Sequence, residues 1–171
     1  EKFPAHIVED GMDSQKFILQ QTQECYAQAV AATGLDTDQV IGSLIETICS
    51  GPALSSNPGD YIEAHPIEYR ELTYYGRYTL KYCFARFEEG GETGLAGQIM
   101  ARVCEDIAVS WGEDGLRLLV CETPADGVIT GQMWYNALKN NALNLMAQYT
   151  EIKLAERYPA SYLLLSMLGE V

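Results

Sequence analysis

Several things are scarce in this chain, and each scarcity removes a class of function. No apolar run approaches the roughly 18 residues needed to cross a bilayer. The longest candidate, Tyr162 to Leu165 with Met167 and Leu168, is far too short, so no membrane span is expected. Positive charge is also scarce, with 11 basic residues against 24 acidic ones and a formal net charge of −13. A phosphate-tracking surface needs Lys and Arg in clustered excess, because neutralising phosphates supplies most of the affinity. The overall field here repels nucleic acid and anionic lipid, and neither is expected as a partner. Cysteine is sparse and odd in number: Cys25, Cys49, Cys83, Cys104 and Cys121, widely spaced and without a CxxC pair. That pattern argues against a disulfide scaffold and against a zinc knuckle, and favours buried free thiols in a reducing cytoplasm. The chain opens at Glu1 without a Met, which leaves open whether a signal peptide has been removed.

What is present is globular composition, 47% hydrophobic and 20% charged, enough for one domain with a core of its own. Residues 1–12 read as an irregular arm. From Asp13 to Ala32 good helix formers run unbroken, and Gly34 supplies the left-handed residue that ends helices. Asp36 with Gln39 reads as a capping-box variant. Behind it Val40, Ile41, Leu44, Ile45, Ile48 and Cys49 repeat with helical period until Gly51-Pro52. Ser55 to His65 reads as a loop. Pro66 then suits the first turn of a helix expected to reach about Glu88 and stop at Gly90-Gly91. Thr93 is the expected cap of the next helix, with Leu95, Ile99, Val103, Ile107 and Trp111 recurring every four residues. Leu116 to Cys121 fits a short strand or a helical turn equally. After a turn at Pro124-Ala-Asp-Gly127, one long helix carries Trp134, Leu138, Leu145, Tyr149 and Ile152 on a stripe and ends before Pro159. A short apolar helix, Ala160 to Leu168, closes the chain. The expectation is a single all-α domain of six to seven helices, with bundle or globin-like packing.

Catalytic signatures are missing. The only histidines, His6 and His65, fall in expected irregular segments, and nothing local suggests a nucleophile with its base. His65 precedes Pro66, so a structural role at the start of a helix outweighs one as base or ligand. There is no GxGxxG after a strand and no phosphate-binding Gly-rich loop. Glu88-Glu89 and Glu105-Asp106 are adjacent carboxylates that point in different directions around a helix. They read as solvated surface, not as a facing catalytic pair. No catalytic residue, no metal and no enzymatic activity are expected.

One stretch stands apart. Arg70, Arg77, Lys81 and Arg86 are four of the 11 basic residues, interleaved with Tyr69, Tyr74, Tyr75, Tyr78 and Tyr82. At 100° per residue, Arg70, Tyr74, Arg77 and Lys81 share a stripe about 60° wide. Leu72, Tyr75, Thr79, Tyr82 and Cys83 occupy the opposite side and should face the core. Neither Arg77 nor Lys81 has an acidic residue four positions away, so their partners must come from elsewhere in the fold, from a ligand or from water. A cationic stripe beside phenols suits an anionic, planar, largely apolar ligand. The plainer reading pairs the arginines with the abundant acidic surface and puts the tyrosines in the core.

Arg70-Glu71-Leu72-x-Tyr74-Tyr75-x-Arg77-Tyr78 resembles the Arg-Asp-x-x-Tyr-Tyr-Leu-Arg-Tyr helix of the phycobiliproteins, globin-like subunits that bind bilins. Thr33-Gly34, Gly51-Pro52 and Pro58-Gly59-Asp60-Tyr61 fall near the spacings of further landmarks of that family, so the resemblance spans Thr33 to Cys83. It departs in that Glu68 stands where the family carries its bilin-attaching cysteine. Glu71 replaces an Asp, Gly76 replaces a Leu, and the register slips after Tyr78. The resemblance therefore implies a globin-like fold without covalent pigment, of the kind that regulates or assists tetrapyrrole pathways. It implies a non-covalent bilin or other tetrapyrrole as ligand, with Arg70 and Arg77 on its propionates and Tyr74 beside the rings. Glu71, Tyr78, Lys81 and Tyr61 complete the expected site.

Two functional expectations follow. The first is a non-catalytic binding or regulatory protein, with a tetrapyrrole as the candidate ligand. The second is an acidic helical protein-interaction module, of inhibitor or immunity type, that masks a basic partner. A dispersed small-molecule enzyme is a third reading without a supporting residue. A protein partner is expected, and self-association into a homodimer stays open.

Overall fold

The computed structural model describes residues 36–112, 114 and 117–170, with positions 21, 24, 25, 28, 29 and 32–34. The expected arm, 1–12, and most of the expected helix over 13–32 lie outside the described residues. Those described between 21 and 32 are helical, and Gly34 takes φ 80° as a helix-ending glycine should.

Among the described residues there are eight bounded helices and no strand. The first, α1 (Thr37–Cys49), starts where Asp36 accepts a hydrogen bond from the Asp38 N–H at 3.0 Å. Its helical repeat buries Ile41, Ile45 and Ile48 and half-buries Val40, Leu44 and Cys49. Each fully buried aliphatic side chain contributes about 2 kcal/mol. The segment expected as a loop contains α2 (Pro58–Ala64), with Asn57 as its cap and Pro58 in its first turn. Asn57 accepts from the Gly59 N–H at 3.0 Å, so a short helix forms inside a run of loop-favouring residue types.

The helix expected from Pro66 to Glu88 is two helices, α3 (Pro66–Tyr75) and α4 (Arg77–Glu89). They meet at Gly76, whose φ 51° and ψ −116° are open only to glycine. The Gly76 N–H bonds to Thr73 O, which leaves Leu72 O without its helical partner. The Thr79 hydroxyl donates to Leu72 O at 2.7 Å, inside the core, and so closes the break. The inward set survives it: Leu72, Tyr75, Thr79 and Cys83 are buried and Tyr82 half-buried. The stop at Gly90-Gly91 is as expected, with both glycines at positive φ.

At the centre lies α5 (Leu95–Ser110), which packs against α1, α2, α3 and α4 and against α6 (Gly131–Gln148). Ile99, Val103 and Ile107 are buried as their spacing predicts, with Met100, Cys104 and Ala108 beside them. Its cap is Gly94, not Thr93, and no side chain caps that end. The start of α6 crosses α5 backbone to backbone: a Cβ on Gly131 would lie 2.1 Å from Gly97 O. Only glycine fits that crossing. Of the stretch Leu116 to Cys121, Leu116 lies outside the described residues and 117–121 are turn and irregular chain, neither strand nor helix, held by Asn141 donating to Leu118 O and Val120 O.

The long helix expected to end before Pro159 breaks after Gln148. Tyr149 is extended, and Thr150 caps a second helix, α7 (Glu151–Arg157), through the Lys153 N–H at 3.4 Å. Ile152, expected on the core stripe, is 72% exposed because the break rotates it outward. The last helix, α8 (Pro159–Met167), packs against α7 and α4. Asp114 holds its start, accepting from the Ala160 N–H at 2.8 Å, while the buried Ser161 hydroxyl donates to Asp114 O. Two split helices and α2 raise the count above the six or seven expected. The all-α class and the shared core stand. None of the helices among the described residues is long and apolar enough to cross a membrane.

Candidate functional site

Arg70 and Tyr74 come from α3, and Arg77 and Lys81 from α4. All four stand on the outside of the protein, though Gly76 separates them into two helices. Arg77 finds its partner elsewhere in the fold: its guanidinium lies 3.3 Å from Glu24 and 5.4 Å from the centre of the Tyr78 ring. Arg70 and Lys81 form no ion pair among the described residues. Glu71 and Tyr78 are half-buried on the same two helices. Tyr61 is buried on α2, and its hydroxyl donates to Ser55 O at 2.9 Å, so it closes the loop before α2. His65 bridges α2 and α3, with Nδ1 3.0 Å from Tyr61 O, which fits the role at a helix start.

Beneath this face lie core residues. Leu72 and Leu80 are 0% exposed and Tyr75 1%. Beside these core residues a different kind of tyrosine appears. Tyr69 donates from α3 to Asp106 on α5, and burial first, then that hydrogen bond, push its hydroxyl pKa up. The neighbouring Glu105 accepts from Trp134 Nε1 of α6 at 3.0 Å. The adjacent carboxylates do diverge, as expected, but each fastens α5 to another helix. Glu88 does the same between α4 and α6, accepting from Tyr135 at 2.6 Å and Lys139 at 2.5 Å. Reading these three acids as solvated surface missed their partners, which lie far off in sequence. No group of three or more His, Cys, Asp and Glu among the described residues could hold a metal ion. The cysteines are free, with Cys83 and Cys104 buried against each other between α4 and α5. Burial, and then the hydrogen bond its thiol donates to Cys83, raise the Cys104 pKa well above its ordinary value.

A second gathering of cations and phenols lies at the α6–α7 break and was not anticipated. The Arg117 guanidinium sits 4.3 Å over the Tyr158 ring, and Arg157 5.6 Å from it. Tyr149 meets Tyr158 edge-on, ring centres 5.2 Å apart. Beside them opens a groove of about 480 Å³ lined by Gln148, Tyr149, Lys153, Glu156 and Arg157. The sequence signal was Thr150, a cap residue placed in the middle of an expected helix. Arg117 carries no such signal. The chain matches no family model, no curated protein and no solved structure.

Proposed function

We propose that the chain is a non-catalytic binding or regulatory protein that works through a protein-interaction surface on α3 and α4. The observation that carries this reading is the outer face of α3. Ile67 is 69% exposed and Tyr74 37%, and Arg70 stands between them without a carboxylate partner among the described residues. On a helix these three positions share a face about 60° wide. An exposed aliphatic, a phenol and a guanidinium on one face is the composition of an interface anchor, where Tyr and Arg are concentrated. Core residues lie below, so a partner would dock on a surface. The net charge of −13 would draw a basic protein toward the molecule as a whole, as in an inhibitor that masks its target, and Arg70 would then need an acceptor on that partner.

The test is capture of basic proteins by immobilised chain, followed by affinity measurement on whatever is retained. Ile67→Asp and Arg70→Ala should each weaken the complex tenfold or more, about 1.4 kcal/mol. Salt should weaken it as well. Retention that ignores both substitutions would remove this face from the reading.

A second reading keeps the tetrapyrrole as ligand, and the observation favouring it is that Arg70 and Tyr74 on α3 and Lys81 on α4 are all exposed. Two propionates would suit those cations, with the rings against Tyr74. Titration with biliverdin or haem, followed by absorbance, decides between the two. A spectral shift lost in Arg70→Ala with Lys81→Ala favours the pigment, and an unchanged spectrum leaves the protein partner.

A further inference from the structure

The groove at the α6–α7 break joins observations that the α3–α4 face does not explain. Two of its five lining residues, Lys153 and Arg157, are cationic, and one, Glu156, is acidic. A third cation, Arg117, is held against Tyr158, whose ring packs edge-on against the groove's own Tyr149. None of the three cations forms an ion pair among the described residues, in a chain where acids outnumber bases 24 to 11. Glu151, the other acid on α7, accepts from Tyr162 at 3.2 Å. Positive charge is thus gathered here, as it also is on the α3–α4 face, on a molecule that is negative as a whole.

The geometry suits one kind of guest. A guanidinium stacked on a ring uses its flat face for the stack and keeps the N–H groups at its edge for an oxyanion. Tyr158 is 7% exposed and anchors that stack, while Tyr149 is half-buried and borders the groove. The volume lies within the 300–1,000 Å³ range of small-molecule sites. We propose that this groove binds a small ring-bearing oxyanion, a phosphate or carboxylate on a planar ring system. Lys153 and Arg157 hold the anionic group, Tyr149 receives the ring, and Arg117 is a positioning residue that braces Tyr158 and adds to the positive field. The tyrosine pair lies within that field. Its hydroxyls are 3.4 Å apart, and Tyr158 ionises more readily than usual because Tyr149 hydrogen-bonds to it and two guanidiniums adjoin it.

The test titrates the full chain by calorimetry with three probes: adenosine monophosphate, phthalate and inorganic phosphate. Adenosine monophosphate or phthalate should bind, and inorganic phosphate at least tenfold more weakly, because it lacks the ring. The stronger of the two ring probes tells a phosphate guest from a carboxylate guest. Lys153→Ala and Arg157→Ala should each weaken binding about tenfold. Arg117→Ala should weaken it less and should return the Tyr158 ionisation toward its ordinary range. Leu54→Ala, fully exposed and outside the groove lining, should change nothing. Should Arg157→Ala fail to fold, Lys153→Ala carries the test, because that side chain is exposed. The proposal is overturned if no ring probe binds below about 10 mM, if inorganic phosphate binds as well as the ring probes, or if Lys153→Ala binds as the wild type does.

Discussion

The two gatherings of cations and phenols sit beside the two places where an apparently continuous helix is interrupted, and the interruptions are built differently. At Gly76 the backbone itself takes a conformation closed to other residues, and Thr79 satisfies the freed Leu72 carbonyl from within the core. The result is a closed joint, with core residues below and Arg70, Tyr74, Arg77 and Lys81 projecting outward. At Tyr149-Thr150 the backbone is ordinary extended chain, and a side-chain cap restarts the helix. That joint stays open, and a groove forms beside it. The same residue chemistry therefore presents a surface in one place and a recess in the other. The difference lies in how each break settles its hydrogen bonds.

Breaking the first joint should cost the most. Gly76→Ala places a side chain at φ 51°, ψ −116°, and holding a non-glycine residue there costs about 1–3 kcal/mol. Relaxing into continuous helix would instead displace Thr79 from Leu72 and rotate α4 against α1 and α5. Urea unfolding should show a loss of about 2 kcal/mol or more. A variant as stable as the parent would mean that the joint is not needed, and the account of the α3–α4 face would fall with it.

The second joint should yield more cheaply. Thr150→Ala removes a cap whose hydrogen bond to the Lys153 N–H is already long at 3.4 Å, so about 0.5–1 kcal/mol is expected. Its sharper readout is local: α7 should fray, and hydrogen exchange at residues 151–157 should quicken while α3 and α4 keep their protection. Equal loosening of both regions would show that they are not independent.

The comparison also explains what could be read in the sequence. The helical repeat of α1 and the four-residue repeat of α5 were legible because burial acts on every turn of them. The inward set Leu72, Tyr75, Thr79 and Cys83 was legible for the same reason, even across a break that was not. Gly76 inside an apolar pattern reads as a tolerated glycine, since the pattern resumes in phase after it. Ile152 shows the opposite failure: it fits the stripe on paper, but Thr150 had already ended the helix. The chemistry of the groove was least legible. Arg117 and Tyr158 are brought together by α8 and by Asp114 holding its start, and no local spacing encodes that. The exposed cations of the other face were named in advance only because they crowd into one short segment.

Lys139 shows what a settled cation looks like, and it supplies the smallest effect. Unlike Lys81 or Lys153, it has a carboxylate partner among the described residues, Glu88, at 2.5 Å, shared with the Tyr135 hydroxyl. The bond from Lys139, then that from Tyr135, hold the Glu88 pKa below its ordinary value. A carboxyl whose pKa is lowered by folding lends stability above its unfolded value, near 4.3, and loses it as pH falls through the folded one. Glu88→Gln should therefore be less stable than the parent at neutral pH, and the gap should close as the solution is acidified below that range. Because the Glu88 side chain is 50% exposed, screening keeps the neutral-pH gap to about 1 kcal/mol or less. Thermal unfolding of both proteins across the acid range would show the convergence, whereas a gap independent of pH would mean that Glu88 acts through packing and not through charge. Lys81→Gln and Lys153→Gln should show no such acid-dependent gap, since neither cation has a carboxylate partner among the described residues to release.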